Sequence, residues 1–256
     1  MDWIQLTLLA ALGVIGGILN VIAGGGSLLT MPTMMLMEIP GPVANGTNRI
    51  AILAQNISAI AGFWRKGFSD FRLSLTLALA AIPGAVLGAW TGTKIEGVLF
   101  NRILAGIMIG VIALMIFKQV SARKKSATAS AIAEDRSNKT RLILGHICMV
   151  GVGFYGGFIQ AGVGFLLMAV LHNIMGLDLV RVNMHKVFIV AVYTVVALVV
   201  YIARDKILWA EGLVLAAGMA TGGWIGANLS VNKGEGFIRV VLYLTLTAMA
   251  IKLLWG

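Results

Sequence analysis

Ala23-Gly24-Gly25-Gly26-Ser27-Leu28-Leu29 decides the reading, because it returns in altered form as Ala161-Gly162-Val163-Gly164-Phe165-Leu166-Leu167. Each copy closes a long apolar run with a glycine-rich break. Each then continues into a short apolar segment (residues 28–37 and 166–175) and reaches a polar cluster. The clusters are Asn45-Gly46-Thr47-Asn48-Arg49 and Asn183-Met184-His185-Lys186. A break of this kind frees backbone N–H and C=O groups that hydrocarbon cannot satisfy, so at membrane depth it is tolerated only where it lines protein or a water-filled cavity. The two breaks are therefore expected to be walls of one binding site.

The correspondence runs at constant separation: Ala23 pairs with Ala161, Gly24 with Gly162, Gly26 with Gly164, Met37 with Met175 and Asn45 with Asn183. It still holds two helices later, where Gly84, Gly88 and Ala89 pair with Gly222, Gly226 and Ala227. That persistence is the mark of a duplicated half. The ladders Gly84, Gly88, Gly92 and Gly218, Gly222, Gly226 recur every four residues on one helix face and are expected to pack tightly against a neighbouring helix.

Of the 256 residues, 59% are hydrophobic and 12% charged, which excludes an ordinary soluble domain and indicates an integral membrane protein. The net charge of +10 sits in short loops without interleaved aromatics, so it reads as a topology signal and not as a nucleic-acid surface. A single cysteine, Cys148, excludes an internal disulfide and a thiolate metal cluster. The N-terminal run lacks the basic leader of a signal peptide and is expected to remain as a helix.

Runs of about 20 residues, enough to cross a bilayer, fall near residues 3–23, 45–63, 73–92, 99–117, 143–162, 183–202, 208–229 and 237–254. The expected fold is all-α and membrane-integral, with eight transmembrane helices in two repeated four-helix halves. Residues 1–118 form the first half and 142–256 the second. The short segments are too brief to span, since ten helical residues rise about 15 Å, and are expected to be re-entrant. Between the halves, residues 119–141 form a polar linker; with Lys118 it carries seven basic and two acidic residues, which places it in the cytoplasm. Both termini then also face the cytoplasm and the halves are parallel. Spanning short segments would instead make the repeats inverted.

Arg49 and Lys186 lie near the start of corresponding helices, one position apart in the repeat alignment. A cation inside a membrane span is costly and by default functional; the alternative is a side chain snorkelling to the interface. Asn45, Gly46, Thr47 and Asn48 in one cluster, with Asn183 and His185 in the other, offer hydrogen bonds. With Gly24, Gly25, Gly26, Ser27, Gly162 and Gly164, and with helix N-termini beside the breaks, they favour an anion. Asn20, Gln55, Asn56, Gln160 and Tyr193 are weaker candidates for lining a path. Asp178 is expected to pair with Arg181, and the lone histidines His146 and His172 lack metal-binding spacing. No metal, cofactor or catalytic residue is expected. The partners are a small anion and the lipid bilayer. Oligomeric state stays open, a homodimer included.

Two halves, each with an apolar helix, an Ala-Gly-x-Gly-x-Leu-Leu break, a short apolar segment and an Asn-led cluster, resemble the sulfite exporter TauE/SafE family. The likeness covers nearly the whole chain except the linker. It implies export of sulfite or organosulfonates such as sulfoacetate across the bacterial inner membrane, and it carries over to Gly24, Gly25, Gly26, Asn45, Gly46, Thr47, Gly162, Gly164 and Asn183. The second cluster departs from the family pattern, with Met184-His185 where members often keep Gly-Thr. Alternating access between the halves is the expected mechanism. An intramembrane enzyme using His and Asp residues, and a passive anion channel, are the alternatives.

Overall fold

The computed structural model describes residues 3–95, 97–106, 109–110 and 138–255. Among them the chain is all-α. In order the helices are α1 (Trp3–Ile22), α2 (Ser27–Leu36), α3 (Gly41–Arg65), α4 (Phe71–Lys94), α5 (Gly97–Gly106) and α6 (Asn138–Phe158). There follow α7 (Val163–Met168), which continues as a π-helical turn over Ala169–Ile174, then α8 (Leu179–Ile202) and α9 (Trp209–Trp255). Gly234 breaks α9 with non-helical dihedrals.

Among the described residues five helices are long and apolar enough to cross a membrane: Trp3–Ile22, Phe71–Lys94, Lys139–Phe158, Leu179–Ile202 and Trp209–Gly234. Eight were expected, and these five are the ones the described residues give in that form. At 25 residues α3 has the length, but Asn45, Thr47, Asn48, Arg49, Gln55 and Asn56 make it too polar to qualify by composition. About half of the expected span 99–117 (residues 107, 108 and 111–117) lies outside the described residues, as does linker 119–141 up to residue 137. The last residues read as linker are helical, since α6 begins at Asn138.

Local chemistry sets the helix ends. Asp70 caps α4 by accepting from Leu73 N, and Asp178 caps α8 by accepting from Val180 N and Arg181 N. Pro40 precedes α3 in an extended conformation and Pro42 sits in its first turn. The polar clusters therefore lie about a turn inside their helices and not at the starts. Gly24 and Gly162, at corresponding positions, both take left-handed dihedrals (φ 85° and 71°) that let the chain turn out of α1 and α6. The Asp178–Arg181 pair forms as expected, at 3.3 Å.

The helices sort into two bundles that interleave the halves. α1 packs chiefly on α9 and α9 on α3, whereas α6 packs on α4 and α4 on α8; α3 and α8 meet between the bundles. Each bundle thus takes its glycine-ladder helix from the other half. The ladders explain this closeness: a Cβ at Gly84 would lie 2.0 Å from Val150 O and one at Gly88 2.0 Å from Phe154 O, both on α6. At Gly218 and Gly222 it would lie 2.2 Å from Ala10 O and Val14 O on α1. Tight packing of the ladders was expected; packing across the halves was not.

Those contacts also show that α1 and α6 correspond two residues out of step with the rest of the chain. Between helix end and left-handed glycine the second half carries two extra residues, Ile159 and Gln160. Gln160 takes a positive φ of 62°, uncommon for a residue with a side chain.

Candidate functional site

Both breaks meet at the junction of the bundles. A Cβ at Gly164 would lie 2.3 Å from Gly24 Cα, and one at Gly24 2.6 Å from Gly164 C, so only glycine allows the two backbones to touch. A Cβ at Gly26 would strike Gly16 O at 2.1 Å, which seats the first break against α1. Beside this contact lies a cavity of about 10 Å³, roughly the room a single water needs. Asn20, Ser27, Ile52 and Asn56 line it from one bundle, and Gln160, Val163, Gly164, Lys186 and Val190 from the other.

Lys186 is 2% exposed, so it does not snorkel. Its Nζ donates to Val21 O in the last turn of α1 and to Asn183 Oδ1, both at 2.7 Å. Asn183 Nδ2 in turn donates to Ile22 O, 3.2 Å away, and reaches Ser230 Oγ at 3.5 Å. Among the described residues no carboxylate lies against this ammonium. Two of its three N–H groups are used by neutral acceptors, and its side chain borders the cavity.

Arg49 is fully buried and does not line the cavity. It closes the carboxyl end of α6: Nη1 donates to Gly156 O at 3.1 Å and Nη2 to Gly157 O, while the guanidinium lies over the Tyr201 ring, 4.5 Å from its centroid. Asn45 Nδ2 donates to Phe158 O (2.7 Å) and Tyr201 Oη (2.6 Å). Both cations therefore sit at the negative end of the first helix of the opposite half, where the exposed carbonyls favour positive charge. Strict alignment places Asn48, not Arg49, opposite Lys186. One residue along a helix is a rotation of about 100°, and that step carries the Arg49 side chain off the cavity.

The remaining candidates divide. Asn20 donates to Gln55 Oε1 (2.7 Å), Gln55 to Asn56 Oδ1 (3.3 Å) and Asn56 to Ile52 O (2.8 Å), an amide chain along one wall. Gln160 donates to Thr194 Oγ1, but its buried Oε1 has no partner. Asn48 accepts from Thr30 Oγ1 at 2.7 Å and leaves Nδ2 unpartnered. The buried Tyr193 hydroxyl lies beside the Gln160 amide and close against Gly156. Thr47 Oγ1 accepts from Leu208 N, and a Cβ at Gly46 would strike Lys206 O at 2.0 Å, so both serve the approach of α3 to the chain before α9. His185 Nδ1 lies 2.8 Å from Ser74 Oγ on α4, away from the cavity. Gly25 accepts from Leu28 N, and Gly162 packs against Leu28.

Sequence reasoning missed the apolar walls Ile52, Val163 and Val190, and the partners Tyr201, Ser230 and Ser74. Nothing local marks them, because each matters through a helix distant in sequence.

The model of the sulfite exporter TauE/SafE family matches residues 9–253. "Probable membrane transporter protein ORF9" of Sinorhizobium sp is 28% identical over 240 residues, covering 94% of this chain and 88% of that protein. A "Probable membrane transporter protein" of Haemophilus influenzae is 24% identical over 251 residues, covering 98% and 94%. "Probable membrane transporter protein YfcA" of Escherichia coli is 26% identical over 248 residues, covering 94% and 86%. No solved structure matches the chain. With polar breaks meeting inside a helical membrane protein and a family match along nearly its full length, the chain belongs to the sulfite exporter TauE/SafE family.

Proposed function

We propose that this membrane transporter carries small sulfur-containing oxyanions, sulfite or organosulfonates, outward across the bacterial inner membrane by alternating access. One observation carries the reading: where the two breaks meet, a buried ammonium borders a cavity lined otherwise by neutral polar and apolar groups. An unpaired cation at that depth is costly unless something answers its charge. The amides of Asn20, Asn56 and Gln160 and the Ser27 hydroxyl suit the oxygens of an oxyanion.

The finer architecture belongs to the same proposal. The two duplicated halves are inverted and not parallel, because α1 and α3 run in one direction with α9 while α6 and α8 run in the other with α4, so the short segments carry the chain back between parallel helices and the linker end at Asn138 faces the side opposite Trp3. An inside-negative potential contributes about 2.3 kcal/mol per charge per 100 mV toward anion efflux, so export needs no coupled cation.

Proteoliposomes loaded with labelled sulfite test the reading. Saturable flux that accelerates when unlabelled sulfite is present on the opposite side is the carrier outcome. Flux without saturation or counterflow would make it a channel, and absence of anion flux under any gradient would end the transport reading.

A further inference from the structure

The cavity is electrostatically lopsided although the chain around it is nearly twofold. Ser27 and Lys186 line it, whereas their counterparts Phe165, a large ring, and Asn48, a neutral amide, do not. The other buried cation, Arg49, is committed to the carbonyls of Gly156 and Gly157 and to the Tyr201 ring. Among the described residues Lys186 is thus the one charged side chain on the cavity wall. A second asymmetry comes from the two-residue insertion, which brings Gln160 to the wall with its Oε1 buried and unpartnered.

We infer that the site selects anions by valence, taking a single negative charge and rejecting two. Lys186 neutralises one charge. A dianion leaves the second uncompensated between Ile52, Val163 and Val190, where the low dielectric makes an unpaired charge expensive. The Gln160 amide at the wall offers hydrogen bonding but no charge to answer the second one. The same three apolar side chains accept a carbon substituent. This deepens the transporter reading and rests on it: within the sulfur oxyanions it favours hydrogensulfite and monosulfonates over sulfite dianion, sulfate and doubly charged sulfoacetate.

Methanesulfonate and sulfate are the matched probes, since both are tetrahedral about sulfur and differ by one methyl for one charged oxygen. Their binding to the purified full chain in detergent is measured by calorimetry at constant ionic strength. The expected result is at least a tenfold preference for methanesulfonate. Lys186→Gln abolishes methanesulfonate binding, Lys186→Arg restores both binding and preference, and Arg49→Lys keeps the preference even where it lowers thermal stability. Equal or tighter sulfate binding, or an unchanged preference in a folded Lys186→Gln protein, overturns the valence inference and leaves an anion transporter standing. Binding of neither probe, together with no anion flux in proteoliposomes, overturns the inference and the transporter reading at once.

Discussion

Gly151 and Gly153 sit two residues apart on α6, and alanine at each has opposite consequences. At Gly151 a Cβ meets nothing within 4 Å, while at Gly153 it would lie 2.1 Å from Ala81 O and 3.0 Å from Ala81 Cα on α4. Comfortable contact begins near about 3.5 Å, so α4 and α6 must part by about 1 Å, and a gap of that size forfeits up to about half of each dispersion contact along the seam. Gly84, Gly88 and Gly157 share the seam, so the loss is not confined to one site. Overpacking of this kind costs about 1–3 kcal/mol. For a chain of this size that lowers the melting temperature by about 2–4 °C per kcal/mol. Gly153→Ala is therefore expected to melt about 2–12 °C below wild type. Gly151→Ala is expected to match wild type or exceed it slightly, since alanine gains about 0.5–1 kcal/mol over glycine in a helix interior. Melting of the purified proteins by intrinsic fluorescence, with gel filtration before and after, gives the comparison. Equal melting of the two variants would refute the α4–α6 seam, and with it the interleaving of the halves.

Three further outcomes test other contacts. Arg49→Met strands the carbonyls of Gly156 and Gly157 and should destabilise the protein by about 3 kcal/mol or more, seen as lost monodisperse yield, with Arg49→Lys recovering part of it. Asp178→Ala removes a helix cap worth about 1 kcal/mol, whereas Arg181→Ala should cost well under that, because the side chains of the pair are 64% and 46% exposed; melting temperatures separate the two. Thr30→Val leaves Asn48 without its one hydrogen bond and should cost about 1–3 kcal/mol, while Thr30→Val with Asn48→Leu replaces both partners and should recover most of it; a double-mutant cycle measured by thermal unfolding reads the coupling.

Much of this was legible in local chemistry. An Asp178 three residues before Arg181 and glycines every fourth residue each have one physical meaning, and the structure gives each that meaning. Helix starts were misplaced because the asparagines drew attention away from Pro40 and Asp178, which are the residues that begin α3 and α8. Partner choice was not legible. In a repeat, α1 can meet a glycine ladder on either α4 or α9, and no property of either ladder alone distinguishes its own half from the other. The insertion of Ile159 and Gln160 was hidden for a related reason, since apolar helices align about equally well in several registers. The separate placements of Arg49 and Lys186 were latent in their one-position displacement, which becomes a difference in direction only once both residues are known to be helical.

Interleaving changes what a rocking motion has to break. Arg49 on α3 holds α6, and Lys186 on α8 holds α1, so each cation crosses from one bundle to the other. Asn45 and Asn183 cross beside them. The cavity between the bundles has room for about one water, far less than an oxyanion needs. Admitting a substrate by parting the bundles therefore strains both latches together. The two latches are unequal, however. The Arg49 guanidinium makes two carbonyl contacts and stacks on Tyr201, whereas the ammonium of Lys186 makes one carbonyl contact and one to an amide on its own helix. For the proposed anion substrate, only Lys186 borders the cavity, so the anion would replace the weaker latch with its own charge while the stronger one holds. On the proposed alternating access, opening would pivot about the Arg49 side and widen at Lys186, making charge recognition and the opening of the cavity a single event.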